Sequence, residues 1–208
     1  MYILGISTAS KYISVALNED LSAIAECSLK GKDLGSEALV FFIKDIFSRV
    51  SFDKKNLEAI SVVIGPGSYS GLRGALACAK TLAQVLKIPI VAISALEAIA
   101  WQFVGHKATI ISLMDAKSDE YNMAVFTSDG KKLFRKTEDF VITAKQMEKT
   151  LKKIKGEVIV ADKNFPSGAS CAALGYLKMK EGKTEDLFKL VPKYSHTPNI
   201  RRFGGSFL

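Results

Sequence analysis

The order in which apolar segments follow one another restricts the fold of this 208-residue chain more than any other feature. Residues 2–8 form a short apolar run, residues 9–11 a turn, and residues 12–17 (Tyr-Ile-Ser-Val-Ala-Leu) an alternating run; together they predict a β-hairpin. A third strand is predicted over 22–29, after the polar turn Asn18-Glu19-Asp20. A polar break over 31–35 precedes a helix over 36–50, with Ser36 as its cap and Glu37 in its first turn, where a carboxylate suits the helix dipole. Residues 59–64 are a β-branched run without polar alternation, as in a strand buried on both faces. A helix over 70–86, a buried strand over 89–93 and a helix over 94–104 complete the first half.

Three meandering strands followed by strands alternating with helices require right-handed crossovers over one sheet. That order describes a ribonuclease-H-like half. The second half begins in the same way, with strands over 108–115, 120–127 and 131–137, a turn over 116–119, a helix over 143–154 capped by Thr143, and a strand over 157–161. Beyond Asp162 the pattern fades into a helix over 171–180 and an extended segment over 187–194. The hairpins 6–17 and 114–125 read as counterparts. The fold class is therefore α/β, an actin-like (ASKHA) architecture of two ribonuclease-H-like halves with the second eroded. The expected lobes are 1–104 and 105–208, joined near 105–107.

Hydrophobic residues make up 48% of the chain and charged residues 24%, a balance that supports a packed core rather than disorder. No run approaches the ~20 apolar residues that span a bilayer, and no basic region precedes the first apolar run as it would in a signal peptide. Cys27, Cys78 and Cys171 are odd in number and far apart, which argues against a disulfide framework and for reduced thiols in the cytosol. The net charge of +8 is uneven: residues 1–104 carry ten Lys+Arg against nine Asp+Glu, residues 105–208 nineteen against twelve. A basic second half fits either contact with a polyanion such as RNA or solvated lysine-rich faces, and no RRM-type motif decides between them.

The most specific segment is Gly65-Pro66-Gly67-Ser68-Tyr69-Ser70-Gly71-Leu72-Arg73. As a strand-to-helix turn it uses glycines for positive φ and close backbone approach, Pro66 for stiffness and Ser70 as a cap. Its free N–H groups make Gly65, Gly67, Ser68, Ser70 and Gly71 candidates for holding an anion. It lacks the Gly-Lys-Ser/Thr of a Walker A loop. The segment resembles the G-P-G-S-F-T-G-L-R signature of the TsaB (YeaZ) family. Leu4-Gly5-Ile6-Ser7-Thr8-Ala9 is similar to that family's L-x-I-D-T-A, and Asp115-Ala116-Lys117-Ser118-Asp119-Glu120 to its D-A-R-x-x-E. Pro192-Lys193-Tyr194 echoes its P-x-Y ending, whereas residues 196–208 match no part of the pattern. Two departures remove ionisable groups: Ser7 replaces the family's first-strand Asp, and Leu34-Gly35-Ser36-Glu37 lacks its usual His.

Metal chemistry in such a cleft needs converging carboxylates or histidines. His106 and His196 stand far apart, and no His-Glu-x-x-His is present. The resemblance implies that the related catalytic family, TsaD, carries a paired-His helix for its metal; nothing similar occurs here. Asp115 and Glu120 remain as a carboxylate pair, with turn capping as the alternative. Neither Ser68 nor Ser70 has a base nearby in sequence. No catalytic residue, metal ligand or cofactor is expected for the isolated chain.

The helix over 36–50 is apolar over more than the ~100° arc that a sheet covers, and Gly71, Ala75, Ala79 and Ala83 give the next helix a small-residue stripe suited to close helix packing. Either the two helices pack internally, or they dock on another subunit through Leu39, Phe42, Ile43, Ile46, Gly71, Leu72, Ala75 and Ala79. The resemblance implies the second: a non-catalytic scaffold for a TsaD-like catalytic subunit in tRNA threonylcarbamoyladenosine formation. It also implies a TsaE-like ATPase as third partner, ATP and metal on the partner subunits, and a homodimer competing for the same surface. The other readings are an ATP-dependent, kinase-like enzyme of the actin-like superfamily and a basic RNA-binding module.

Overall fold

The computed structural model describes residues 1–31, 36–152, 154 and 156–195. The polar break over 32–35, the side chains of Ser36 and Glu37, and the tail 196–208 with His196 lie outside the described residues.

The first sheet contains β1 (Tyr2–Ser7), β2 (Tyr12–Glu19), β3 (Ser22–Lys30), β4 (Ala59–Gly65) and β5 (Ile90–Ser94) in the order β3-β2-β1-β4-β5. β1, β2 and β3 are antiparallel, with Gly5 opposite Ala16; β4 and β5 join in parallel through α1 (Ser36–Arg49) and α2 (Tyr69–Leu86). This is the ribonuclease-H-like order that the segments predict. The second sheet is built from β6 (Thr109–Lys117), β7 (Glu120–Ser128), β8 (Leu133–Arg135), β9 (Phe140–Thr143) and β10 (Val158–Ala161), in the order β10-β6-β7-β8 with β9 also on β7. It repeats the antiparallel start and one parallel strand, so the second copy is the shorter. The fold is the actin-like α/β architecture.

Local chemistry sets the boundaries. The Thr143 hydroxyl and the Gln146 side chain form a reciprocal capping box that starts α4 (Ala144–Leu151). Ser68, not the expected Ser70, caps α2: its Oγ accepts from the Gly71 N–H at 3.3 Å. The predicted strand 131–137 shrinks to β8 because Lys131 and Lys132 N–H groups both donate to Asp129 Oδ1 and are held in a turn. Those backbone bonds, first that of Lys132, hold the Asp129 carboxyl below its ordinary range. The expected extended segment 187–194 is not a strand. Its ends are tied to the first sheet by Glu185 N–H to the Ile90 carbonyl (3.0 Å) and Lys193 N–H to the Ile64 carbonyl (2.7 Å).

Helix α5 (Gly168–Lys180) starts before the predicted residue 171 and belongs, by packing, to the first sheet. The expected second lobe 105–208 thus gives its last helix to the first. A methyl group at Gly5 of β1 would strike the Gly168 carbonyl oxygen and stand 2.7 Å from the Ala172 nitrogen. One at Gly168 would stand 2.6 Å from the Ala16 nitrogen, and one at Gly175 2.6 Å from the Ser61 Cβ. Backbone therefore packs on backbone. Polar bonds fix the start of the helix: Gly168 N–H donates to Ser14 Oγ (2.7 Å), Ala169 N–H to Glu26 Oε1 (3.2 Å), and Asn18 Nδ2 to the Ala169 carbonyl (3.1 Å). Glu26 also suits the positive end of the helix dipole. Helix α3 (Ala95–Trp101) covers the second sheet through Leu96 and Ala100 against Ile110, Ala124 and Phe126. The outer face of the first sheet is closed by α1 and α2, and that of the second by α4.

Gly5→Ala tests this contact. Forcing a methyl group into backbone should destabilise the fold by about 1–3 kcal/mol or more. Urea titration should show a lower midpoint at an unchanged slope.

Candidate functional site

The glycine-rich loop leaves β4 at Gly65, passes a cis Gly65–Pro66 bond and enters α2. Gly65 and Gly67 have φ of +134° and +155°. A side chain at Gly65, Gly67 or Gly71 would strike the carbonyl oxygens of Lys193, Ala9 and Thr8 respectively. Ser68 N–H donates to the Ala9 carbonyl and Thr8 Oγ1 to the Gly71 carbonyl, both at 2.7 Å. Gly71 and Leu72 N–H groups are taken by the Ser68 side chain and carbonyl. Among the anion candidates Gly65, Gly67, Ser68, Ser70 and Gly71, the glycines thus serve close packing, and the N–H groups of Ser68 and Gly71 already donate within the chain. Tyr69 stacks on Tyr194 with ring centres 4.9 Å apart, and Arg73 Nη1 donates to the Tyr69 hydroxyl at 2.9 Å.

A cleft of about 410 Å³ lies between this loop and the second sheet, lined by Pro66, Asn122, residues 138–141 and residues 193–195. Asp139 at its wall is already engaged. Arg135 Nη1 donates to Asp139 Oδ1 at 2.7 Å and Ser94 Oγ to Oδ2 at 2.8 Å. Arg135 also lies 3.8 Å from Glu97, whose other partner is Lys178 at 3.1 Å. These four charges are one chain of ion pairs tying β8, α3 and α5 together. Ser7, where the family pattern has Asp, is buried and its hydroxyl has no hydrogen-bond partner. Asp115 and Glu120 sit at the tip of the β6–β7 hairpin, where Lys117, Ser118 and Asp119 all have positive φ. Asp115 Oδ1 accepts from the Lys117 N–H at 2.9 Å, which is the turn-capping role. Among the described residues no group of three or more His, Cys, Asp or Glu is placed to hold a metal ion.

Cys171 is fully buried, and burial pushes its thiol up to about 12 while Ser61 Oγ and the Ile6 carbonyl accept weakly from it. Cys78 and Cys27 are also raised, chiefly by burial. A thiol with a folded pKa near 12 stays neutral at neutral pH and lacks nucleophilic character.

The residues expected to meet a partner are placed otherwise. Leu39, Phe42, Ile43 and Ile46 of α1, and Leu72, Ala75 and Ala79 of α2, are buried in the chain's own core. Gly71 faces the Thr8 carbonyl, and the Ala75–Ala79–Ala83 stripe lets α2 lie close over the first sheet. Among the described residues, the large apolar side chains left outside are Val40 and Phe41 (63% exposed) on α1 and Tyr69 and Val85 (72%) on α2. Helical phase identifies them: with Leu39, Phe42, Ile43 and Ile46 inward, Val40 and Phe41 must point away.

Two outcomes are expected. Ser7→Ala removes an unsatisfied buried hydroxyl and should be neutral or stabilising by up to about 1 kcal/mol, read by thermal unfolding. Cys171 should resist iodoacetamide in the folded chain at neutral pH and react fully once urea unfolds it, read by mass spectrometry.

The sequence matches the family described as "TsaD: tRNA N6-adenosine threonylcarbamoyltransferase" over residues 33–198. It is 27% identical over 218 aligned positions to the tRNA threonylcarbamoyladenosine biosynthesis protein TsaB of Bacillus subtilis (strain 168), covering 93% of each chain. To the TsaB of Escherichia coli (strain K12) it is 22% identical, over 88% of this chain and 80% of that one. In structure it is similar to YeaZ from Pseudomonas aeruginosa, with a TM-score of 0.80 at 18% identity over 93% of this chain and 99% of that one. With the ribonuclease-H-like sheet order, the glycine-rich signature and these similarities together, the chain belongs to that family and, within it, to the TsaB (YeaZ) group.

Proposed function

We propose that this chain is a non-catalytic scaffold that activates a TsaD-like transferase in the formation of threonylcarbamoyladenosine on tRNA. Its relatives are named for that biosynthesis. The observation that carries the scaffold reading is the exposure of large apolar side chains on α1 and α2: Val40, Phe41 and Val85 stand in solvent. Burying each against a partner is worth roughly 1.5–3 kcal/mol before the cost of association. The cleft supports the same reading from the other side. Its Asp139 is held by Arg135 and Ser94, and the first-strand position carries a hydroxyl instead of a carboxylate. In this reading ATP and metal are bound by the partners, a TsaE-like ATPase joins as a third subunit, and all three work in the cytosol.

Reconstituted modification of tRNA with and without this chain tests the proposal: product formation should require the TsaD-like enzyme and rise when the chain is added. Phe41→Glu should leave stability within about 0.5 kcal/mol, weaken the pair by 2 kcal/mol or more, roughly thirtyfold, and lower modification in parallel. Turnover by the isolated chain with ATP and magnesium would favour the kinase-like alternative instead.

A further inference from the structure

The cleft between the glycine-rich loop and the second sheet holds a buried polar group that the chain leaves without a partner. Side chains along β7 alternate: Ala124 and Phe126 pack toward α3, whereas Tyr121, Met123 and Val125 face α4. Asn122 shares the inner face with Ala124 and lines the cleft. It is 4% exposed, and among the described residues its side-chain amide makes no hydrogen bond. Among those residues the unpaired polar atoms sealed from solvent belong to Ser7, Asn18 and Ser112, so the Asn122 amide opens into the space it lines. A carboxamide offers two N–H donors and a carbonyl acceptor, and leaving them unused at a buried place costs free energy.

The two walls come from different sheets, and both are held. Residues 185–193 after α5 form a strap on the first sheet: Glu185 N–H donates to the Ile90 carbonyl, Lys193 N–H to the Ile64 carbonyl, and Leu187 and Leu190 sit in the core between them. At its end Lys193 and Tyr194 line the cleft beside Pro66, with Tyr194 stacked on Tyr69. The second sheet supplies residues 138–141, from the turn before β9 and its first strand residues. Arg135 and Ser94 take the two carboxylate oxygens of Asp139 and so fix that turn. Asp139 is therefore engaged, whereas Glu138 and Lys193, both exposed, make no side-chain hydrogen bond or ion pair among the described residues. One wall carries an unpaired ammonium, the other an unpaired carboxylate, and an amide lies between them.

We infer that this cleft binds a free α-amino acid whose side chain carries a hydroxyl or a carboxamide. The zwitterionic head meets the rim, its carboxylate at Lys193 and its ammonium at Glu138, through charge-assisted hydrogen bonds. The side chain reaches the floor, where a hydroxyl or carboxamide can both donate to and accept from Asn122, while Phe140, Tyr194 and Pro66 cover its carbon atoms. A cleft of about 410 Å³ is large enough for such a molecule. A nucleotide suits the same space poorly. Its phosphates need several cations or free N–H groups, whereas the lining has one unpaired cation with a carboxylate across from it, and the Ser68, Gly71 and Leu72 N–H groups of the neighbouring loop donate within the chain. Among the described residues no side chain of α1 or α2 lines the cleft, so the scaffold reading and the amino-acid site stand or fall separately.

Calorimetric titration of the full chain with L-threonine, L-serine and L-glutamine, each up to about 10 mM, should show at least one binding with a dissociation constant of about 1 mM or tighter. The apolar counterpart of the one that binds (L-valine for threonine, L-alanine for serine, L-methionine for glutamine) should bind about tenfold more weakly, and Asn122→Leu should erase that preference. Glu138→Gln and Lys193→Gln change exposed side chains and should each weaken binding about tenfold, as should N-acetylation or methyl esterification of the amino acid. Circular dichroism checks the fold of each variant; if Asn122→Leu does not fold, the two rim variants and the apolar counterparts decide. Absence of binding by all three amino acids overturns the inference. So does binding that both rim substitutions leave unchanged, or equal binding of the apolar counterpart. Binding of ATP with magnesium in place of the amino acids, weakened by Lys193→Gln, overturns it in favour of a nucleotide.

Discussion

Backbone contact between α5 and the first sheet is the constraint on which the rest of the molecule depends. Gly5, Gly168 and Gly175 each stand where a methyl group would enter a neighbour. Small residues at these places let the helix settle onto β1, β2 and β4 without side-chain ridges between them. Once seated, it puts Lys178 beside Glu97 and shuts Cys171 in the core. Its departure point sets where the strap begins. A chain of two ribonuclease-H-like halves can be pictured as two lobes on a hinge; here the last helix of the second half completes the first. The ion-pair chain Asp139–Arg135–Glu97–Lys178 fastens the same junction from its polar side.

The element order was legible because periodicity carries it: β4 is buried along its whole length and reads as a run without polar alternation, broken only by Ser61. What escaped did so for identifiable reasons. β9 is only four residues, Phe140–Thr143, and follows the polar stretch Thr137-Glu138-Asp139, so it offers no window in which alternation can be counted. The start of α5 reads Gly-Ala-Ser-Cys, in which Gly, Ser and Cys are weaker helix formers than Ala and no apolar stripe is present. The helix has no stripe because it is covered on several sides, by the first sheet and by α3. The expected partner residues were chosen by apolar content without phase, which does not separate inner from outer positions. The greasy positions of α1 divide into an inner set, Leu39, Phe42, Ile43 and Ile46, and an outer pair, Val40 and Phe41.

The glycine loop shows how one motif can support two physical readings. Glycines before a helix expose N–H groups, which suits an anion, and also lack side chains, which suits contact with another backbone. Sequence does not separate these. In the structure the space beside Gly65, Gly67 and Gly71 is filled by three carbonyl oxygens of the chain itself, which accounts for the missing side chains. The loop thereby becomes the joint at which the first hairpin, α2 and the strap meet. Pro66, Lys193 and Tyr194 also line the cleft, so the joint borders it directly.

Chemistry and exposure are distributed in opposite senses. Around the cleft, Asp139 is held by Arg135 and Ser94, and Glu138 and Lys193 line the same space. On the far side of the first sheet, aromatic and branched side chains stand in water, and among the described residues Arg73, Lys80 and Lys87 form no ion pair with an acidic side chain. Neither feature helps the isolated fold: an exposed Phe188 contributes no burial, and clustered like charge repels. A strap of polar residues would anchor Leu187 and Leu190 equally well. Exposed Phe188 and Val191 are not accounted for by the chain's own packing, whereas Gly5 and Gly168 are accounted for by the backbone they meet within it.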